Sequence, residues 1–197
     1  MQDNEIIAII GVNEVVRENV NEVIEKLKLK GISTVMLTGD NDKTAKRIAD
    51  KIGITQVYSN VLPKEKKDII QKLKDKGKYV LMCGDGINDS PAITLADVGV
   101  SINSGSDIAM DSSDVILTRN DLNSIINLIN ISKKTIRNIK RNLFWAFLYN
   151  ILMIPIATGL FKRVGFSINP MIASLAMVIS SLTVVINTLR LKRIKIE

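Results

Sequence analysis

Along the first 120 residues, short β-branched runs alternate with stretches of helical periodicity. "EIIAIIGV" (5–12) reads as a strand. "NEVVRENVNEVIEKLKLKG" (13–31) follows as a helix, with Val16, Val20, Val23, Ile24 and Leu27 on one face and Gly31 at its end. "ISTVML" (32–37) reads as a strand, and "DKTAKRIADKIG" (42–53) as a helix closed by Gly53. "QVYSN" is a short strand. "PKEKKDIIQKLKDKG" (63–77) is a helix with Pro63 at its first position and Gly77 after its end. "KYVLMCG" (78–84) is the next strand, "INDSPAITLA" opens a helix, and "DVGVSI" and "DVILT" are further strands. This order predicts a parallel sheet covered by helices on both faces, with its site at the C-terminal strand ends.

From Asp121 the pattern changes. "DLNSIINLINISKKTIRNIKR" predicts a linking helix over 121–141. Two uncharged runs follow, "NLFWAFLYNILMIPIATGL" (142–160) and "MIASLAMVISSLTVVINTL" (171–189), separated by a loop over 161–170. Each run has 19 residues, nine of them Leu, Ile, Val or Phe. That length is about what a membrane-crossing helix needs, and those side chains favour insertion by about 3 to 5 kcal/mol before polar residues subtract from it.

Charge sharpens this reading. The net charge is +7, yet residues 1–132 carry −3 and residues 133–197 carry +10. "KKTIRNIKR" precedes the first run and "RLKRIK" follows the second. Basic charge so placed flanks a membrane hairpin and orients it. The strand–helix domain (1–120) and the basic tail (190–197) are expected on the cytoplasmic side, and the short loop on the other. Nucleic acid is not an expected partner, because the basic charge follows the apolar runs and aromatic residues are few. The chain has no histidine, which excludes His-based acid–base catalysis and His-containing zinc sites. Its one cysteine, Cys83, lies in an apolar run and reads as a buried, inert thiol. "MQDNEIIAII" lacks a basic segment and a cleavage-like site, so no signal peptide is expected.

Candidate chemistry gathers at the strand ends. Thr38 ends a strand at a Gly turn, where its hydroxyl can bond a phosphoryl oxygen. Lys64 lies in the first helical turn after Pro63 and can offset phosphate charge. Asp85, in "LMCGDGINDSPA", can ligate Mg²⁺, and Asp89, one turn on, can orient that ligand or the metal's water. Gly84 and Gly86 let the backbone come close. An Asp-Gly turn alone is only a turn; three such features in this order, each at a strand end, point to phosphoryl chemistry.

"TGD", "LPKEKK" and "GDGINDSPA" resemble the second, third and fourth motifs of the haloacid-dehalogenase phosphotransferase fold, in the wording of P-type ATPases. The resemblance implies an α/β Rossmann-like (haloacid-dehalogenase-like) parallel-sheet domain, incomplete, followed by a two-helix transmembrane hairpin. It implies catalytic roles for Thr38, Gly39, Asp40, Lys64 and Asn88, and Mg²⁺ binding by Asp85 and Asp89. The hairpin also resembles the last two membrane helices of the heavy-metal (type IB) subfamily, in its copper and silver branch. The matching positions are Asn142, Tyr149-Asn150 and Pro155 in one run, and Met177, Ser180-Ser181 and Asn187 in the other. Tyr149, Asn150, Met177, Ser180 and Ser181 are thereby implied in a Cu(I) path. A thioether is a soft ligand, and polar groups in a span are costly unless they line a path or a helix contact. Met171 reads more simply as facing lipid.

The Asp-Lys-Thr-Gly-Thr motif that P-type ATPases phosphorylate does not occur in these residues, nor does Cys-Pro-Cys. The expectation is therefore the C-terminal part of a Cu(I)- or Ag(I)-exporting pump, inactive alone. It would work with Mg²⁺, with ATP as the complete pump's substrate, with the remainder of the pump, with the lipid bilayer and with a copper chaperone for the complete pump. Two alternatives stand beside it. Asp40, Asp42 and Thr44 have the Asp-x-Asp-x-Thr spacing of a phosphatase nucleophile motif, which would make a membrane-anchored phosphohydrolase. A non-catalytic remnant that binds an intact pump is the other.

Overall fold

The computed structural model describes residue 16 and residues 19–84, 87–102, 110–119, 121–159 and 170–193. The strand expected at 5–12, and Asp85 and Gly86, lie outside the described residues. The chain divides into two units, residues 1–126 and 127–197.

The first unit alternates helix and strand: α1 (Val20–Leu29), β1 (Val35–Leu37), α2 (Asp42–Ile52), β2 (Gln56–Tyr58), α3 (Pro63–Asp75), β3 (Leu81–Gly84), a 3₁₀ turn (Ile87–Asp89), α4 (Ser90–Leu95), β4 (Val98–Ile102) and β5 (Val115–Leu117). Every strand pair among the described residues is parallel. Among the described residues the strands form two sheets, β1–β2 and β3–β4–β5. β4, central in the larger sheet, is buried from Gly99 to Ile102, as expected of a parallel strand covered on both faces.

Local chemistry sets the helix bounds. Asn41 caps α2 by accepting a hydrogen bond from the Thr44 N–H at 3.0 Å, and Ala45, Ala49 and Ile52 face inward at helical spacing. Pro63 opens α3, and the Glu65 carboxylate accepts from the Leu62 N–H at 2.8 Å. Among the described residues two clusters stand in the core. Val20, Ala49, Ile52 and Ile54 join α1, α2 and the segment before β2. Ile70, Met82, Ala92 and Ile93 join α3, β3 and α4, with Leu37 of β1 packed against them. Cys83 on β3 is half-buried rather than enclosed.

The second unit carries α5 (Asn123–Ala157, which begins in the first unit) and α6 (Pro170–Leu189), followed by a 3₁₀ turn (Arg190–Arg193). The expected linking helix and first apolar run are one continuous helix, since no Gly or Pro interrupts the chain between Asn123 and Ile154. Large apolar side chains stand exposed along both, among them Phe144, Phe147, Ile151 and Ile154 on α5 and Leu175, Met177, Val178 and Leu182 on α6. Among the described residues one helical stretch is long and apolar enough to cross a membrane, Ser174–Lys192. The apolar part of α5 holds Asn142, Tyr149, Asn150 and Pro155, and follows directly on Lys140 and Arg141.

Candidate functional site

Backbone pairing positions the residues after β1. The Thr38 N–H donates to the Tyr58 carbonyl and the Thr38 carbonyl accepts from the Val61 N–H, both at 3.0 Å, so the turn is locked to the segment after β2. The Thr38 hydroxyl donates to the Asp40 carboxylate at 2.9 Å and accepts from the Asp40 N–H at 3.1 Å. Gly39 between them is exposed. Thr38 thus stands fixed at a strand end, with its one hydroxyl proton turned toward Asp40. Asp42, in the first turn of α2, accepts from the Ser59 hydroxyl and from the Asn60 amide at 3.1 Å. Its partners tie α2 to the loop after β2.

After β3 the chain enters the 3₁₀ turn that presents Asp89. A Cβ on Gly84 would sit 2.7 Å from the Asp89 Cβ and 2.8 Å from its Oδ2. Glycine is required there because the Asp89 carboxylate lies against the strand end. The other carboxylate oxygen, Oδ1, accepts from the Lys66 ammonium at 2.6 Å, and the two side chains are only 13% and 15% exposed. Ser90, next in sequence, has a buried hydroxyl with no partner among the described residues. Asn88 is exposed.

The lysine joined to this carboxylate is therefore Lys66. Lys64, expected from the sequence to offset phosphate charge, is exposed on α3 and forms no ion pair among the described residues. Helical spacing contains the signal that separates them. Lys66, Ile70 and Leu73 share the face turned inward, whereas Lys64 lies on the outward face.

The arrangement fits Mg²⁺ by the chemistry of its donors. Asp89 offers hard carboxylate oxygen, and Mg²⁺ is held by one or two carboxylates together with phosphate rather than by a closed protein cage. Among the described residues no group of three carboxylate, histidine or cysteine side chains could hold a metal alone.

The implied Cu(I)-path residues are less gathered. Met177 (75% exposed) and Ser181 lie on one side of α6 with Val178, Leu182 and Val185, around an open groove of about 530 Å³. Ser180 is half-buried and outside that lining. On α5, the Tyr149 ring lies 6.4 Å from that of Trp145, and the Asn150 amide donates to the Ala146 carbonyl at 2.9 Å, one turn back in its own helix.

Comparison with known proteins places this geometry. Residues 2–97 match the model of the haloacid dehalogenase-like hydrolases. The chain is 44% identical over 192 residues to a probable copper-transporting ATPase, PacS, of Synechocystis, covering 97% of this chain and 26% of that protein. It is 42% identical to a copper-exporting P-type ATPase of Legionella pneumophila, covering 98% of this chain and 26% of that protein. A zinc-transporting PIB-type ATPase in its E2.Pi state superposes with a TM-score of 0.80 at 30% identity, over 90% of this chain and 28% of that one. The chain belongs to the P-type ATPase family. It spans about a quarter of the length of the curated relatives it matches. As a P-type ATPase segment its first unit has the haloacid dehalogenase-like fold, and the strand-end residues Thr38, Gly84 and Asp89 fall in the motifs that carry the resemblance.

Proposed function

We propose that this chain supplies the phosphate- and Mg²⁺-contacting half of a phosphoryl-transfer site, and part of the membrane metal path, in a P-type pump exporting Cu(I) or Ag(I). The observation that carries the reading is the 44% identity to a copper-transporting relative over 192 residues, which continues past the phosphate motifs through both long helices.

In this reading the phosphorylated aspartate, the nucleotide-binding domain and the Cys-Pro-Cys motif come from residues outside this sequence. Thr38, held by its backbone bonds, would turn its hydroxyl proton from Asp40 to an incoming phosphoryl oxygen, with Gly39 and Asp40 shaping the turn. Lys66 neutralises one oxygen of Asp89 and so holds that carboxylate against Gly84. Asp89 and, outside the described residues, Asp85 would hold Mg²⁺, which when bound neutralises charge on the transferring phosphoryl group. Asn88 and Lys64, exposed on the same segments, would act on the nucleotide phosphates or their water. Both long helices lie in a bilayer, with the α/β unit and the C-terminus cytoplasmic. The exposed apolar side chains on α5 and α6 support this, since water would oppose such a surface. Tyr149, Asn150, Met177, Ser180 and Ser181 contribute to the ion path, and the backbone before Pro155, which lacks an N–H, leaves a carbonyl free to face it.

The test is reconstitution. Membranes containing this chain alone should show no Cu(I)-stimulated ATP hydrolysis. Membranes also containing a polypeptide with the upstream motifs should show it, and Asp89→Asn should abolish it. Hydrolysis of small phosphate esters by this chain alone, lost on Asp40→Asn, would instead establish the phosphohydrolase. The contacts of Asp40 with Thr38 and of Asp42 with Ser59 and Asn60 give those carboxylates structural work and speak against that outcome.

A further inference from the structure

At one end of the second unit, α5 and α6 are joined by a chain of hydrogen bonds. The Arg141 guanidinium donates to Asn138 Oδ1 at 3.0 Å and to Asn187 Oδ1. The Asn187 amide donates to Asn142 Oδ1, and the Asn142 amide donates to the Thr188 hydroxyl at 3.0 Å. Asn138 and Asn187 are 6% and 8% exposed, so this is a built, desolvated feature. These amides engage one guanidinium nitrogen of Arg141 but do not cancel its charge.

A cavity of about 200 Å³ opens beside these bonds, lined by Lys134, Arg137, Arg141 and Arg190 together with the two asparagines. Four cations share one small space. No Asp or Glu occurs between residues 122 and 196, and among the described residues none of the four cations forms an ion pair. Like charges so close repel, and the repulsion is relieved by an anion from outside the unit. A second cavity, about 320 Å³, shares Arg141, Asn187 and Arg190 and runs on along Trp145, Thr183 and Ile186. The polar, cationic end thus leads into an apolar one, which is the division of an amphiphile.

We propose that these joined cavities seat one anionic phospholipid. Its phosphate head group lies among Lys134, Arg137, Arg141 and Arg190, and an acyl chain lies along Trp145 and Ile186. The proposal rests on the reading of α5 and α6 as membrane helices, and names a lipid that this end of the hairpin selects.

Trp145 is the chain's single tryptophan and reports directly on the groove. The full chain is reconstituted in phosphatidylcholine vesicles containing a minor fraction of phosphatidylglycerol, with bromine on the acyl chains of one lipid or the other. Brominated phosphatidylglycerol should quench Trp145 several-fold more than its mole fraction predicts. The pairs Arg137→Gln/Arg141→Gln and Lys134→Gln/Arg190→Gln should each reduce that enrichment, by about fivefold per charge removed. The second pair leaves the Arg141 hydrogen bonds intact, so it keeps the test decisive if the first unfolds the hairpin. Lys133→Gln/Lys140→Gln removes the same charge outside the cavity and should leave the enrichment unchanged. Equal quenching by both labelled lipids, or equal loss in all three pairs, would overturn the seat and leave the membrane reading standing. Quenching by neither lipid would overturn both. Added inorganic phosphate should not erase the preference; if it does, the cavity takes free anions and the lipid is refuted.

Discussion

Lys66 and Asp89 are the residues on which the candidate site turns. Their side chains are mostly removed from water and 2.6 Å apart. Lys66→Ala would strand the carboxylate, and breaking a buried pair costs about 3 to 5 kcal/mol; the residual exposure here places the loss near the lower end, about 3 kcal/mol. Lys64→Ala, on the exposed face of the same helix, should change stability by no more than about 0.5 kcal/mol. Urea denaturation of the two variants separates them, and equal effects would refute the pairing. Gly84→Ala tests the other side of Asp89. Its Cβ would enter space the carboxylate occupies, so Mg²⁺ affinity should fall at least about tenfold, in keeping with the loss seen when groups that orient a metal ligand are disturbed. Isothermal titration would read it, and unchanged affinity would remove Asp89 from the metal site. These two residues also show what a sequence reveals at this scale. In "GDGIND" the sequence marked a close backbone approach at Gly84, and the fold sets Asp89 against it. The choice between Lys64 and Lys66 depends on which helical face meets the sheet. The Lys66–Asp89 pair was not read from the sequence, although Ile70 and Leu73 mark the face on which Lys66 lies.

At the scale of elements, Asp97 shows how the larger sheet is stitched. Its carboxylate accepts from the Val80 N–H at 2.8 Å, just before β3, and pairs with Lys74 at 3.1 Å near the end of α3. The Val80 hydrogen bond first, and Lys74 second, hold the Asp97 carboxyl below its ordinary value against a smaller opposing effect of desolvation. A carboxylate with a depressed folded pKa stabilises the fold fully above the unfolded value of about 3.9 and loses that contribution as pH falls through the folded value. Asp97→Asn should therefore lower stability at neutral pH and flatten the acid limb of the stability profile below about pH 4. Denaturation midpoints measured from pH 6 downward check this; an acid limb as steep in the variant as in the parent would refute it. Gly99→Ala probes the same sheet from the other side. A Cβ there would lie 2.7 Å from both Ile93 Cγ2 and the Ile93 carbonyl oxygen, and overpacking of this kind costs about 1 to 3 kcal/mol. Most elements were legible as alternating periodicities, since each buries one face. The strands are shorter than their apolar runs suggested: 32–37 yields Val35–Leu37 and 78–84 yields Leu81–Gly84. Hydropathy marks what is buried, whereas a strand lasts only where a neighbour offers hydrogen bonds. Likewise 121–160 divided by composition into a polar and an apolar stretch, yet its backbone is one helix through Ala157, because no Gly or Pro interrupts it before Pro155 in its last turn.

For the whole molecule, the division of the strands into two sheets is the feature with consequences. Among the described residues β1 pairs with β2 alone and β3 with β4 alone. Yet Leu37 at the end of β1 packs on the cluster that holds Met82 of β3. Among the described residues the two sheets thus share a core without sharing a ladder, and β1 and β3 each have one edge with no described partner strand. No alternation along 1–120 could reveal this, because pairing partners are a property of the assembled domain. If the phosphorylated aspartate of the proposed pump arrives on a strand from outside these residues, those edges are where its backbone would find hydrogen bonds. Amide exchange decides the matter. In this chain alone, the amides of Val35–Leu37 and Leu81–Gly84 should exchange faster than those of β4, which has a neighbour on either side. Adding the upstream polypeptide should slow both segments together by at least about tenfold, the factor that corresponds to about 1.4 kcal/mol of added local stability. Protection of one edge without the other would mean that no strand bridges the sheets. Protection of neither, in a mixture that still hydrolyses ATP, would mean that the nucleophile reaches Thr38 and Asp89 without joining the sheet.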